Sequence, residues 1–315
     1  MTGTNFAVLF KTHAWDDFIA RQYARYCDTV GRDRVFVFLD ETAGPITGAP
    51  SENVLRATND DLFAIGLGRR FERGSLLWWN TDYPHYLFAA RHPGFAYTLC
   101  VEYDTCCLGD VQGFVEAAAA QGADLVTLPT RTPLEQWMWT RFHLQTYQKA
   151  ELAGSLNCIS LYSARAMALL ATRRVAMADE ARNGHVAFWP GNEVFIATEI
   201  GRAGFKLMPL SAFGDTSRYE WHPPILEDDL PSAGTMMFLH PVLDRRRYIA
   251  STLKFAESPL SYYNPRSPLR RDLSRFPERE WRPQLGKAAW ARTRMRLRER
   301  AEGIWARFGL LADRG

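Results

Sequence analysis

Two short apolar runs near the N-terminus, with a helical pattern between them, constrain this chain more than any other feature. Phe6–Phe10 and Arg34–Leu39 are rich in aromatic, branched and other apolar residues and read as buried strands. Between them Trp15, Phe18, Ile19, Tyr23, Tyr26 and Cys27 recur at helical spacing, so a helix crosses back over one sheet face. A strand, a crossover helix and a second strand make a βαβ unit, and the right-handed rule sets the strands parallel. Both strands then deliver polar residues to one edge, Lys11-Thr12-His13 after the first and Asp40-Glu41 after the second. In open α/β sheets that carboxyl edge is where ligands sit.

A third run ends more abruptly. Ala96–Val101 is a buried-strand pattern that stops in Glu102-Tyr103-Asp104, bounded by Pro93-Gly94 before it and Gly109 after it. Carboxylates at a sheet edge are costly unless solvated, paired or metal-bound. Two acids two residues apart in extended chain point to opposite sides unless the chain turns there. With a turn, one can hold a divalent ion while the other reaches a ribose or a water of the ion. A solvated strand-end turn is the plain alternative, because an acid-x-acid triplet carries little information alone.

The remaining pattern alternates in the same way. Thr42 to Ser75 is looser, with Pro45, Gly48 and Pro50, and Gly66 and Gly68 lack the third glycine of a dinucleotide fingerprint, so they read as a turn. Helices are expected over Tyr83–His92, Val111–Gln121 with Gly122 behind it, Ala164–Arg174, and Glu193–Arg202 with Asn192 as N-cap and Gly204 closing it. Strands are expected over Ala123–Leu128, Leu156–Tyr162, Phe205–Leu210 and Thr235–Leu239, and an aromatic segment, Trp137–Phe142, opens the second half. The expectation is one α/β domain over residues 1–258, a mixed, mostly parallel Rossmann-like sheet flanked by helices. Its halves are about 1–130 and 131–258.

Composition narrows the class. Of the 315 residues, 47% are hydrophobic and 23% charged, as in an ordinary soluble protein. No run approaches the roughly 18 apolar residues of a membrane span, and Met1–Val8 lacks the basic start and apolar core of a secretory signal. Five cysteines, without a Cys-x-x-Cys pair, suggest reduced thiols in a cytoplasm rather than disulfides or a zinc site, with Cys106 and Cys107 as small packing residues. From Asn264 onward 14 basic residues face 6 acidic ones, which leaves the rest of the chain at a net charge of −5. The basic C-terminal tail, 259–315, is expected to be helical over Ala288–Phe308. It either packs on the body with its arginines solvated or lies on an anionic membrane, giving a peripheral contact at the inner face. No nucleic-acid motif accompanies the charge.

Four motifs in order, Trp79–Tyr83, Glu102–Asp104, Asn192–Phe195 and His240–Val242, resemble the GT-A-type glycosyltransferases of the nucleotide-diphospho-sugar transferase superfamily. The resemblance spans roughly Phe6 to Val242 and departs from the commoner Asp-x-Asp triplet in having Glu102 first. It implies a GT-A-like fold whose half at about 1–130 binds the nucleotide and whose half at about 131–258 faces the acceptor, with Mn²⁺ or Mg²⁺ as cofactor, a UDP- or GDP-sugar donor and a glycan or lipid-linked acceptor. It places Asp104, Glu102 and His240 on the metal, with His222 as the rival histidine. If transfer inverts configuration, Glu193 is the base and Glu199 the weaker alternative. Lys11 could meet a phosphate, Asp40 a base or ribose, and Asn80 and Asp82 the donor sugar or ribose hydroxyls. Structural alternatives stay open: Asn80 and Asp82 as caps of the Tyr83 helix, Glu193 as a helix cap, His240 as a strand end. A non-catalytic sugar-nucleotide or glycan-binding relative, and a metal-dependent hydrolase, are the competing functions.

Overall fold

The computed structural model describes residues 3–67, 76–130, 132–137, 140–144, 146–186, 188–232 and 234–307. Gly68, Met138 and Trp139 of the aromatic segment, and residues 308–315 of the tail lie outside them.

The expected βαβ start is present: β1 (Phe6–Thr12), α1 (Asp17–Val30) and β2 (Val35–Asp40). Asp16 caps α1 by accepting from the Ile19 backbone N–H at 3.1 Å. The chain continues through β3 (Val54–Ala57), α2 (Asn59–Ala64), α3 (Leu76–Trp79) and α4 (Tyr83–Arg91) to β4 (Tyr97–Glu102), the acidic strand. Then come β5 (Cys106–Leu108), α5 (Val111–Ala120), β6 (Leu125–Pro129), α6 (Thr140–His143), β7 (Ser155–Ser163), α7 (Ala164–Arg182), α8 (Asn192–Arg202) and β8 (Leu207–Pro209). The last elements are β9 (Ile225–Leu226), β10 (Met237–Leu239), β11 (Val242–Leu243), α9 (Arg245–Phe255), α10 (Pro268–Leu273) and α11 (Glu278–Arg307).

Seven strands form one sheet in the order β3-β2-β1-β4-β7-β6-β8. It is the mixed, mostly parallel sheet expected, and β7 is its reversed strand, antiparallel to both β4 and β6. One face is covered by α1 and α5 through Phe18, Ile19, Tyr26, Phe114 and Val115. The other is covered by α4, α7 and α8 through Leu87, Phe88, Met167, Leu170 and Phe195. Helices on both faces explain why β1, β2 and β4 are buried along nearly their whole length instead of on alternate residues.

The chain divides into two compact units. The first comprises Met1–Glu220 and Pro231–Pro241, the second Trp221–Leu230 and Val242–Gly315. The division therefore falls at Val242, earlier than the tail boundary expected at 259. The physical reason is a small core of the second unit's own. Leu243, Tyr248, Ile249 and Leu253 pack with Leu269, Leu273, Phe276, Trp281 and Leu285 of the expected tail. Helix α11 is longer than expected, starting at Glu278 and carrying Pro283 inside it.

Two smaller departures matter for the site. Strand β1 runs on through Lys11 and Thr12, both fully buried. Helix α8 begins at Asn192 with Gly191 in the N-cap place, so Asn192 is a buried helical residue and not the cap.

Candidate metal and catalytic site

The parallel register sets Lys11 beside Glu102 at the carboxyl edge of β1 and β4. Just past that edge the chain turns: the Thr105 backbone N–H donates to the Glu102 carbonyl at 3.1 Å, and the Thr105 hydroxyl to the same oxygen at 2.6 Å. This is the turn that two acids around Tyr103 need in order to serve one site. Strand β5 then leaves in a new direction and pairs antiparallel with β10, Cys106 opposite Leu239. One step further along that register lies His240, opposite the turn. Gly109 permits the pairing, because its φ is +102° and a Cβ there would stand 2.9 Å from the Met236 Cα.

On the other side of β4, Val101 pairs with Ile159 of β7. Because β7 runs backwards, its first residues meet the last residues of β4, and Cys158 comes beside Glu102. One oxygen of Glu102, the Cys158 Sγ and one His240 ring nitrogen all lie within 4.8 Å of one another. His240 Nε2 also lies 3.9 Å from Asp104 Oδ1. The His240 Nδ1–H donates to the Glu220 carbonyl at 2.7 Å, since a carbonyl can only accept, and that leaves Nε2 as the basic nitrogen. Tyr219 braces both sides. Its buried hydroxyl accepts from the Ile159 N–H at 2.5 Å, and its ring lies 5.8 Å from the His240 ring.

Glu193 sits in the first turn of α8, and no side chain caps that helix start. Burial, reinforced by the Glu102 charge, pushes its carboxyl up to about 7. That direction is opposite to the one a helix start alone would give. Burial together with the Glu102, Asp104 and Glu193 charges pushes the Cys158 thiol well above its usual range, against the Lys11 charge. These shifts place Glu102, Asp104, Glu193, Cys158 and Lys11 within one electrostatic neighbourhood.

Not every expected residue joins it as foreseen. Lys11 has no exposed surface; its Nζ lies 3.7 Å from Glu102 and donates to Thr81 Oγ1 at 3.3 Å and to His85 Nε2 at 3.1 Å. The expected phosphate contact gives way to support of Glu102 from beneath. Burial, then the Lys11 charge, holds the His85 imidazole well below its usual range, so it is the neutral acceptor that Lys11 needs. Asp82 stands at the N-cap position of α4, as the capping alternative expects, but its side chain makes no capping hydrogen bond and does not reach solvent. Its carboxylate accepts from Arg174 Nε at 2.7 Å and from the Tyr86 hydroxyl at 3.0 Å, and both members of the ion pair are fully buried. Asn80 is likewise buried, accepting from the Trp189 indole at 3.2 Å. The donor-binding role expected of Asn80 and Asp82 is therefore replaced by one inside the protein. Asp40 closes the turn after β2 by accepting from the Thr42 N–H at 3.1 Å and hydroxyl at 2.6 Å. Glu199 is paired with Arg173 and Arg202, and the rival His222 falls in the second unit.

The same contacts reveal residues that sequence reading passed over. Thr81 accepts from Lys11 and, at 3.4 Å, from the Asn192 amide, joining the floor of the acidic site to the start of α8. Arg174 donates to the Pro190 carbonyl at 3.0 Å and stacks on Phe195 with 3.7 Å to the ring centroid, which fixes the approach to Glu193. A signal for Arg174 existed, since it lies on the buried stripe of α7 with Met167, Leu170 and Met177. None existed for Cys158, a single cysteine in a buried strand.

No protein-family model matches the chain, and no curated protein does. Among solved structures it is similar to mouse xyloside xylosyltransferase 1 in its apo form, at 12% identity and a TM-score of 0.41, covering 75% of this chain and 97% of that one. It is also similar to a glycosyltransferase involved in glycosylating the major capsid of PBCV-1, at 9% identity and 0.36, over 78% and 98% of the two chains. An active-site mutant of LgtC gives 8% identity and 0.38, over 70% and 75%. None of these overlaps reaches 0.5.

Proposed function

We propose that the chain is a metal-dependent glycosyltransferase of the GT-A type. It would move a sugar from a UDP- or GDP-sugar donor to a hydroxyl of a glycan or lipid-linked acceptor with inversion. The observation that carries the reading is the convergence of Glu102, Asp104 and His240 at the carboxyl edge of β4, with Glu193 beside them. Two carboxylates and an imidazole with its basic nitrogen free are a donor set that suits a divalent ion such as Mn²⁺ or Mg²⁺. When bound, the ion supplies positive charge against the donor's diphosphate.

The chain's own residues supply the rest. A carboxyl poised at about 7 is suited to take a proton near neutral pH. Glu193 accepts the acceptor hydroxyl's proton while that oxygen bonds to the anomeric carbon. The bond from that carbon to the diphosphate breaks, and the nucleoside diphosphate leaves with the electron pair. Lys11, buried behind Glu102 with its Nζ 3.7 Å away, places a positive charge beside that carboxylate. Arg174, Thr81 and Asn192 hold the start of α8, and so Glu193, in register with the acidic turn.

The end of α11 adds a second element to the reading. From Gly286 to Leu297 no described side chain is buried, Trp290 is 64% and Leu297 59% exposed, and Arg292, Arg294 and Arg296 alternate with them. Such a segment suits the surface of an anionic membrane, where lipid-linked acceptors reside. Among the described residues no helix is long and apolar enough to cross one.

A thermal-shift series with UDP and GDP, with and without Mn²⁺, tests the transferase reading. Stabilisation that requires the metal is expected. Metal-independent stabilisation would favour a non-catalytic nucleotide binder, and no nucleotide effect would remove the reading.

A further inference from the structure

The transfer reaction leaves Cys158 without a task, yet its sulfur stands in the tightest group of donor atoms among the described residues. Two features independent of that spacing bear on it. His240 has its Nδ1–H committed to the Glu220 carbonyl, so its remaining nitrogen, 3.9 Å from Asp104 Oδ1, is the one left with a lone pair for an ion. Tyr219 locks the strand around Cys158: its hydroxyl accepts from the Ile159 N–H and lies 3.4 Å from the Leu156 carbonyl, on either side of the cysteine. A carboxylate oxygen, an imidazole nitrogen and a sulfur are thus delivered by three separate elements and held there by hydrogen bonds behind them.

We propose that Cys158 is itself a metal ligand, and that the site therefore takes Zn²⁺ and Co²⁺ more tightly than Mg²⁺. This rests on the reading that Glu102 and His240 hold a metal. The chemistry follows from ligand softness. Carboxylates alone suit Mg²⁺ and Mn²⁺, whereas thiolate and imidazole select borderline-soft ions. A mixed set of oxygen, nitrogen and sulfur also matches the ligands that Zn²⁺ commonly takes. The thiol must surrender its proton to the solvent as the ion enters, because the thiolate is the ligand. Occupancy by Zn²⁺ would then compete with Mn²⁺ or Mg²⁺ for the position that serves the donor.

Cobalt titration of the full-length chain decides the matter, since thiolate bound to Co²⁺ gives a charge-transfer absorption in the near ultraviolet. Wild type should show that band. Cys158→Ser should lose it while still binding Co²⁺, and its Zn²⁺ affinity should fall at least about 10- to 100-fold, as disruption of a metal's support typically costs. Its Mg²⁺ affinity should change much less. Co²⁺ binding without a thiolate band in wild type would make Cys158 a packing residue and leave the metal site standing. Failure of wild type to bind Co²⁺ or Zn²⁺ at all would remove both. If Cys158→Ser does not fold, His240→Gln decides: it shares the ion, so the wild-type band should weaken with it, and a band that stays unchanged would assign the absorption to another cysteine and sink the proposal.

Discussion

Arg174 and Asp82 form an ion pair with no exposed surface on either side, and its removal should be among the most damaging single changes in the protein. Arg174→Met keeps an unbranched apolar stem, shorter than that of arginine, and leaves the Asp82 carboxylate buried with the Tyr86 hydroxyl to hold it. Breaking one partner of a buried pair costs about 3–5 kcal/mol, because the other charge stays desolvated. The lost bond to the Pro190 carbonyl and the lost stacking on Phe195 fall within the same site, so they overlap with that figure and do not add to it. Against a typical total stability of about 5–15 kcal/mol, a loss of this size exposes a large fraction of molecules to unfolding at moderate temperature. Burial opposes a charge on Arg174, but the Asp82 carboxylate together with Tyr83 and Tyr86 offsets it and holds the guanidinium above its usual range. Asp82→Leu should therefore be as harmful as Arg174→Met. The double variant removes both charges and should recover most of the loss, as apolar replacements of buried pairs do. Urea unfolding of the four proteins by far-ultraviolet circular dichroism gives the coupling directly. Single variants that each lose less than about 1 kcal/mol, or a double variant no better than either single, would show that the pair is solvated and the reasoning wrong.

Four further outcomes follow from the site and the tail. Glu193→Gln should lower kcat about 10²-fold with little change in donor affinity; wild-type activity should fall as pH drops through about 7, where the base takes up its proton, and the variant should lose that dependence. Asp104→Asn should weaken Mn²⁺-dependent nucleotide binding at least about tenfold, roughly 1.4 kcal/mol, in a protein that still folds, and calorimetry showing unchanged affinity would detach Asp104 from the metal. Gly109→Ala forces a Cβ to 2.9 Å from the Met236 backbone at a φ of +102°; a loss of about 1–3 kcal/mol in thermal or urea unfolding is expected, together with weaker metal binding because β10 carries His240 into place. Removing Trp290–Gly315 spares Trp281 and Leu285, so stability should hold while binding to anionic vesicles drops by about 1 kcal/mol per basic residue lost from the surface. That binding should also weaken with salt, and a truncated chain that binds vesicles as well as the full one would end the membrane reading.

What could be read from the chain directly was local. The βαβ start, helix α4, helix α5 with Gly122 behind it, and the acidic strand β4 all follow from periodicity and punctuation within about a dozen residues. Glu102 and Asp104 were legible as site candidates for a similar reason. Charges that end a buried strand are anomalous wherever the rest of the chain goes. Helix α8 was placed to within one residue, but its cap was misread, because Asn192 satisfies a capping pattern and yet spends its side chain on Thr81.

The sequence by itself determined the class of sheet, the edge at which its polar residues gather and the acidic turn, since each depends on neighbours along the chain. Only the tertiary structure decided which residues share a site. Reversal of β7 brings Cys158 to Glu102, and the pairing of β5 with β10 carries His240 over the turn. Packing of α4, α7 and α8 on one sheet face buries Lys11, Asn80 and Asp82, which sequence placed at the ligand, and gives them Glu102, Trp189 and Arg174 as partners. The same holds for the second unit, where Leu269 to Leu285 become core through helix α9. Burial is the reason: a charged or polar side chain in a run has the same local signature whether it ends in solvent or against a partner far along the chain, and only packing tells the two apart.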